Sequence, residues 1–153
     1  MMATRLAIKK ALAIKNEIAN KFIILAADTV VSHQALILGK PHSKNHAIEM
    51  LTQLSGKNHQ VITGIAVRHK DKIHSGISET NVYFRKITAE EINHYWDTGE
   101  CHDKAGAYAI QGKGAMFVER IEGSYSGVVG LPVFECINLL SLLGWRYLSN
   151  NSG

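Results

Sequence analysis

An uninterrupted apolar run, Phe22-Ile23-Ile24-Leu25-Ala26-Ala27, is followed at once by Asp28 and Thr29, then by Val30 and Val31. A run without polar alternation fits a strand buried on both faces. It is far shorter than the about 20 apolar residues that cross a bilayer. Strand-like and helix-like segments alternate along the rest of the chain, which points to an α/β class. A carboxylate at the end of such a strand stands where open α/β sheets place their ligands. Asp28 therefore has two readings: a residue that binds a divalent cation or takes a proton from water, or one that caps the next turn.

The rest of the chain alternates between the two periodicities without repeats. Ala3 to Asn20 reads as an amphipathic helix, with Ala7, Ala11, Ile14 and Ile18 on one stripe and Lys9, Lys10 and Glu17 off it. Leu36 to Leu38 is a short extended piece closed by Gly39-Lys40-Pro41. Ser43 is the expected N-cap of a helix through Leu54, stopped by Ser55-Gly56. His59 to Val67 and Ser78 to Phe84 read as a hairpin-like pair around a turn over Asp71 to Gly76. Thr88 and Glu91 form a capping-box pattern for a helix to Asp97, ended by Gly99. A glycine-rich segment, Asp103 to Gly114, precedes an expected strand, Ala115 to Ile121. Glu122 to Pro132 is expected to be a loop, Val133 to Leu143 a helix, and Ser149 to Gly153 a frayed tail.

A chain of 153 residues with 46% hydrophobic and 20% charged residues suits one globular domain, residues 1–153. The net charge of +4 favours anionic partners. Its lysines and arginines are dispersed and carry no aromatic ladder, so neither nucleic acid nor membrane is an expected partner. Cys101 and Cys136 make no C-x-x-C pair, and no apolar stretch with a cleavage site follows Arg5, Lys9 and Lys10. Free thiols in the cytoplasm are the expectation.

Two further segments carry chemistry. Gly39-Lys40-Pro41 sets an ammonium in a rigid turn, suited to phosphate, although no Walker A loop occurs. In Asp103-Lys104-Ala105-Gly106-Ala107-Tyr108-Ala109-Ile110-Gln111-Gly112, small residues give a tight backbone path. There Lys104 can neutralise phosphate, Asp103 can bind metal or orient water, and Gln111 can read a base edge. An ordinary surface turn with a solvated ion pair is the equal alternative. His42 and His46 stand at i, i+4 but lack a third ligand, so they read as solvated. Neither Ser126 nor Cys101 sits in the pattern of an activated nucleophile. Ala26 occupies the place of the first Asp in a D-x-D pair.

Together these pieces resemble the Maf family of nucleoside triphosphate pyrophosphatases, also called septum-formation inhibitor proteins. The resemblance rests on Ala26-Ala27-Asp28-Thr29-Val30-Val31, Leu38-Gly39-Lys40-Pro41, Leu54-Ser55-Gly56, His59-Gln60-Val61, Thr63-Gly64, Thr98-Gly99-Glu100, Asp103 to Gly112, Ile121 to Tyr125 and Val128 to Pro132. It implies an elongated mixed sheet with flanking helices and a central cleft, similar to inosine triphosphate pyrophosphatases. It also implies hydrolysis of a nucleoside triphosphate to monophosphate and pyrophosphate with a divalent cation, Mg²⁺ or Mn²⁺. Carried over, Asp28 is the proton acceptor, Lys40 and Lys104 hold phosphates, and Asp28 and Asp103 serve the metal. Thr29 and Gln111 match positions associated with substrate choice, and the segment around Gln111 resembles the dTTP/UTP branch. A non-catalytic nucleotide-binding protein tied to cell division is the alternative.

Family members begin with a strand and a Ser-x-Ser-Pro-Arg-Arg loop, whereas this sequence opens at the helix and contains no Ser-Pro-Arg-Arg. The resemblance therefore implies an exposed strand edge, which favours a homodimer. It also implies lowered activity, because each charge-assisted phosphate contact is worth about 1.5–3 kcal/mol.

Overall fold

The computed structural model describes residues 1–146 and Leu148, so the expected fraying over 149–153 lies outside the described residues. The helices are α1 (Met2–Leu12), α2 (Asn16–Lys21), α3 (Lys44–Leu54), α4 (Ala89–Asp97), α5 (Tyr125–Val129) and α6 (Val133–Leu142). The strands are β1 (Ile24–His33), β2 (Leu36–Leu38), β3 (Asn58–His69), β4 (Lys72–Phe84) and β5 (Val118–Glu122). They form one sheet in the order β2-β1-β3-β4-β5. The α/β class stands, but every pairing among the described residues is antiparallel, so the expected mixed sheet is corrected. The β1–β2 and β3–β4 pairs reverse through tight turns, the β2-to-β3 connection through α3 returns the chain beside β1 in the opposite sense, and α4 lies in the connection from β4 to β5. No helix among the described residues is long and apolar enough to cross a membrane.

Strand alternation divides the core into two faces. On one face α1 lays Ala3, Ala7 and Ala11, all fully buried, against Val30, Ile62 and Ala66. Methyl side chains at that spacing let the helix backbone come very near the sheet. At Gly64 of β3 an added Cβ would stand 2.3 Å from the Ala3 carbonyl carbon and the Thr4 nitrogen. On the other face α3 and α4 cover a core that includes Leu51, Val61, Val82, Phe84, Tyr95 and Phe117. Farther along that face, α6 packs Cys136 and Leu139 on Ile65 and Val67.

Several local signals act as read. The Ser43 hydroxyl accepts the His46 N–H at 3.1 Å. Thr88 and Glu91 close a full capping box, which Arg85 reinforces through both Glu91 oxygens. Other elements differ. The helix expected over Ala3 to Asn20 breaks after Leu12 and restarts at Asn16, and Ile14 and Ile18 are exposed. Arg68 of β3 causes the break to hold, donating to the Ala11 and Ile14 carbonyls at 3.2 and 2.8 Å. The strand read as Phe22 to Ala27 begins at Ile24, continues to His33, and leaves Leu25 exposed.

The expected turn over Asp71 to Gly76 is only Lys70-Asp71, with Lys70 at φ 56°. Gly76 lies within β4 instead, where the Leu139 side chain of α6 comes close. Of the strand expected over Ala115 to Ile121, residues 115–117 instead belong to a 3-10 helix, Lys113–Phe117, and β5 begins at Val118. The expected loop Glu122 to Pro132 contains α5, capped by Ser124 accepting the Gly127 N–H.

Candidate active site

Strand β2 pairs with β1 only at Val31, Ser32 and His33. Among the described residues, Ile24 to Val30 therefore have no strand partner on the edge away from β3. A cleft of about 300 Å³ opens there. Its walls include Asp28, Thr29, Lys40, Asp103, Lys104 and Gln111, all the side chains singled out from the sequence. An open edge explains how residues from both faces of β1 reach one cleft. Asp28 belongs to the face covered by α1, whereas Thr29 belongs to the face of α5.

Lys10 of α1 was not distinguishable from its neighbours in the sequence. Its Nζ lies 2.5 Å from the Asp28 Oδ1 and 3.1 Å from the Ala27 carbonyl oxygen, and it also lines the cleft. Asp28 thus engages a cation on another element rather than capping a turn. The lysine side chain is 56% exposed, so this pair contributes at most about 1 kcal/mol and exchanges readily with an arriving anion.

The loops bearing Lys40 and Lys104 are tied together by the Gly106 N–H, which donates to the Gly39 carbonyl at 3.1 Å. Gly106 has φ 73°, and an added Cβ would meet Val31 of β1 at 3.1 Å, so conformation and space both require glycine. Lys104 pairs with Asp103 at 3.8 Å, both exposed. The solvated pair and the cleft wall are one feature.

The backbone just after Gln111 is held by Glu100. That carboxylate accepts the Tyr95 hydroxyl at 2.5 Å and the N–H groups of Lys113 and Gly114 at 2.8 and 3.0 Å. Burial alone would raise the Glu100 pKa, but these donors outweigh it and hold it below the usual carboxylate value.

Beneath the cleft, the Tyr108 hydroxyl lies 2.7 Å from His59 Nε2. His59 is 2% exposed and stands edge-on to Phe84. Burial, then the neighbouring His33, lowers its pKa from 6.5 to about 4. The ring stays neutral in the fold where it would charge in the unfolded chain. Stability from this site is complete above pH 6.5 and falls as pH drops towards 4. We expect about 2 kcal/mol to be lost between pH 7 and pH 5. Glu91, lowered to about 2, acts only below about pH 4.5 and leaves this window clear. Urea unfolding at both pH values should show the loss in the parent and a shallower dependence in His59→Gln. Equal slopes would remove His59 as the cause.

Two carboxylates beside lysines fit Mg²⁺ in the mode where one or two protein carboxylates share the ion with substrate phosphates. Among the described residues no group of three His, Cys, Asp or Glu side chains is arranged to hold a metal alone. His42 and His46 stack at 4.9 Å, and the His42 backbone N–H donates to His46 Nδ1.

Residues 1–143 match the family described as Maf-like protein. A protein of Hydrogenovibrio crunogenus named dTTP/UTP pyrophosphatase is 45% identical over 137 residues, covering 89% of this chain and 71% of its own. Proteins of the same name from Neisseria meningitidis and Vibrio vulnificus are 46% and 49% identical, over 82% and 89% of this chain. The matches span 62% and 73% of those two relatives.

Proposed function

The chain belongs to the Maf-like protein family, and from that premise we propose that it hydrolyses dTTP and UTP to the monophosphate and pyrophosphate. The observation that carries the reading is the convergence of Asp28, Asp103, Lys10, Lys40 and Lys104 on one cleft that also holds Thr29 and Gln111. Three cations suit a triphosphate, and two polar side chains suit a base. The names of the similar proteins fit the same substrates.

In this reading water attacks the α-phosphorus and the bond to the α–β bridging oxygen breaks, so pyrophosphate leaves with that oxygen. Asp28 takes the proton from the attacking water. The triphosphate draws Lys10 away from Asp28, freeing the carboxylate as the substrate arrives. Lys40 and Lys104 offset the charge that builds on the departing pyrophosphate. Asp28 and Asp103 would hold a divalent cation, Mg²⁺ or Mn²⁺, which supplies further charge neutralisation when bound. Two free buried thiols, Cys101 and Cys136, fit a cytoplasmic setting for this chemistry.

The test is product analysis with dTTP, UTP, CTP and 7-methyl-GTP in Mg²⁺ or Mn²⁺. Monophosphate and pyrophosphate should appear in equal amounts from dTTP and UTP. Orthophosphate with a nucleoside diphosphate would place cleavage at the γ position and end this reading. Nucleotide binding without turnover would select the non-catalytic alternative.

A further inference from the structure

Thr63 of β3 is fully buried and touches no part of the cleft surface, yet its hydroxyl determines what Thr29 can offer a ligand. The Thr63 Oγ1 lies 2.8 Å from the Gly127 carbonyl oxygen and 2.9 Å from the Thr29 Oγ1. A carbonyl can only accept, so the single Thr63 proton points to Gly127. The Leu131 N–H, which would continue the helical pattern to Gly127, turns to the Ser126 carbonyl instead. Without Thr63 the Gly127 carbonyl would be buried and unpaired, which fixes the direction of that bond. The Thr29 proton must then fill the Thr63 lone pair. Thr29 is left facing the cleft with acceptor lone pairs alone.

We propose that Thr63 is a specificity-determining residue: by orienting the Thr29 hydroxyl as an obligate acceptor, it selects bases whose ring nitrogen carries a proton. This rests on the reading of the cleft as a pyrimidine nucleotide site. Thr29 shares its end of the cleft with Val128 and Val129, next to the carbonyl it addresses through Thr63, while the charged pair Lys10–Asp28 belongs to the opposite face of β1. An apolar wall with one hydroxyl suits a base rather than phosphate. Thymine and uracil present N3–H between two carbonyl groups, which an acceptor satisfies. Cytosine presents a bare N3, and two acceptors would face each other there. A site built for an N–H strongly rejects an analogue lacking it.

Binding can be read without turnover, using the non-hydrolysable α,β-methylene analogues of dTTP and dCTP in calorimetry. The parent should prefer the thymidine analogue by about tenfold or more. Thr63→Val lets the Thr29 proton turn into the cleft, so that preference should collapse, mainly through stronger cytidine binding. Thr63→Ser keeps the hydroxyl chain and should keep the preference. A merely structural role would weaken both ligands together and leave the ratio unchanged. If Thr63→Val does not fold, N3-methyl-dTTP offered to the parent reads the same contact, with binding at least about tenfold weaker than dTTP. Equal binding of the methylated base, or a parent-like ratio in Thr63→Val, overturns the proposal while leaving the pyrophosphatase reading intact. If neither analogue binds, the nucleotide reading itself fails and this proposal with it.

Discussion

Gly64→Ala is expected to lower stability by about 3 kcal/mol and to pull α1 off the sheet. The new methyl carbon would stand 2.3 Å from the Ala3 carbonyl carbon and the Thr4 nitrogen, and 2.4 Å from the Ala3 carbonyl oxygen. These are backbone atoms, so no rotamer change relieves the overlap. The helix itself has to move, and Ala7 and Ala11 lose their fully buried contacts with Ala66 as it does. The damage extends to the site, because Lys10 rides on the same helix and Asp28 is the cross-strand neighbour of Gly64. For a chain of this size the midpoint of thermal unfolding should fall by roughly 6–12 °C. Gly39→Ala is the control: an added Cβ there meets nothing within 4 Å, and its backbone is not left-handed. Parent-like melting of Gly64→Ala would mean that α1 is not seated against β3 as described.

The same dipeptide shows how much of the site was legible. Thr63-Gly64 stood out in the sequence as part of a family resemblance, with no physical role to give it. The structure assigns one to each residue: Thr63 sends its proton to Gly127, and Gly64 admits the α1 backbone. Both depend on partners more than fifty residues away, which no local pattern encodes. Lys10 was hidden for the same reason, since its partner Asp28 lies on another element. Asp28, Lys40, Asp103 and Lys104 were legible as charged residues set against an apolar run or a small-residue turn, although Asp28, read at the end of its strand, stands in the middle of β1.

The fold divides along the same line. Caps announced themselves, because Ser43 and Thr88 each bond a backbone N–H three residues ahead. The break after Leu12 did not, because Ile14 and Ile18 keep a helical period while the guanidinium of Arg68, far along the chain, takes the Ala11 and Ile14 carbonyls. Gly76 read as a turn residue but lies inside β4, where an added Cβ would meet the Leu139 side chain of α6 at 3.4 Å. The letter alone does not tell Gly64, which admits a helix backbone, from Gly39, which has no neighbour within 4 Å.

Asp28→Asn is the substitution expected to cost most in turnover, about 10²–10⁴-fold in kcat. Asparagine has the same shape and keeps an oxygen for the Lys10 ammonium, but it cannot take a proton from the attacking water. Binding should change far less, because Lys40 and Lys104 remain on the cleft wall. Stability should stay within about 1 kcal/mol, the limit for a pair as exposed as Lys10–Asp28. The informative pattern is therefore a large fall in kcat with nearly unchanged KM and melting temperature. Asp103→Asn is the internal comparison. Its carboxylate is 75% exposed and pairs only loosely with Lys104, so a role limited to sharing a cation or water predicts the smaller loss. Steady-state pyrophosphate release from dTTP for the three proteins decides the matter. Turnover by Asp28→Asn within threefold of the parent would show that the proton leaves by another route. A larger loss in Asp103→Asn than in Asp28→Asn would move the general base from β1 to the loop.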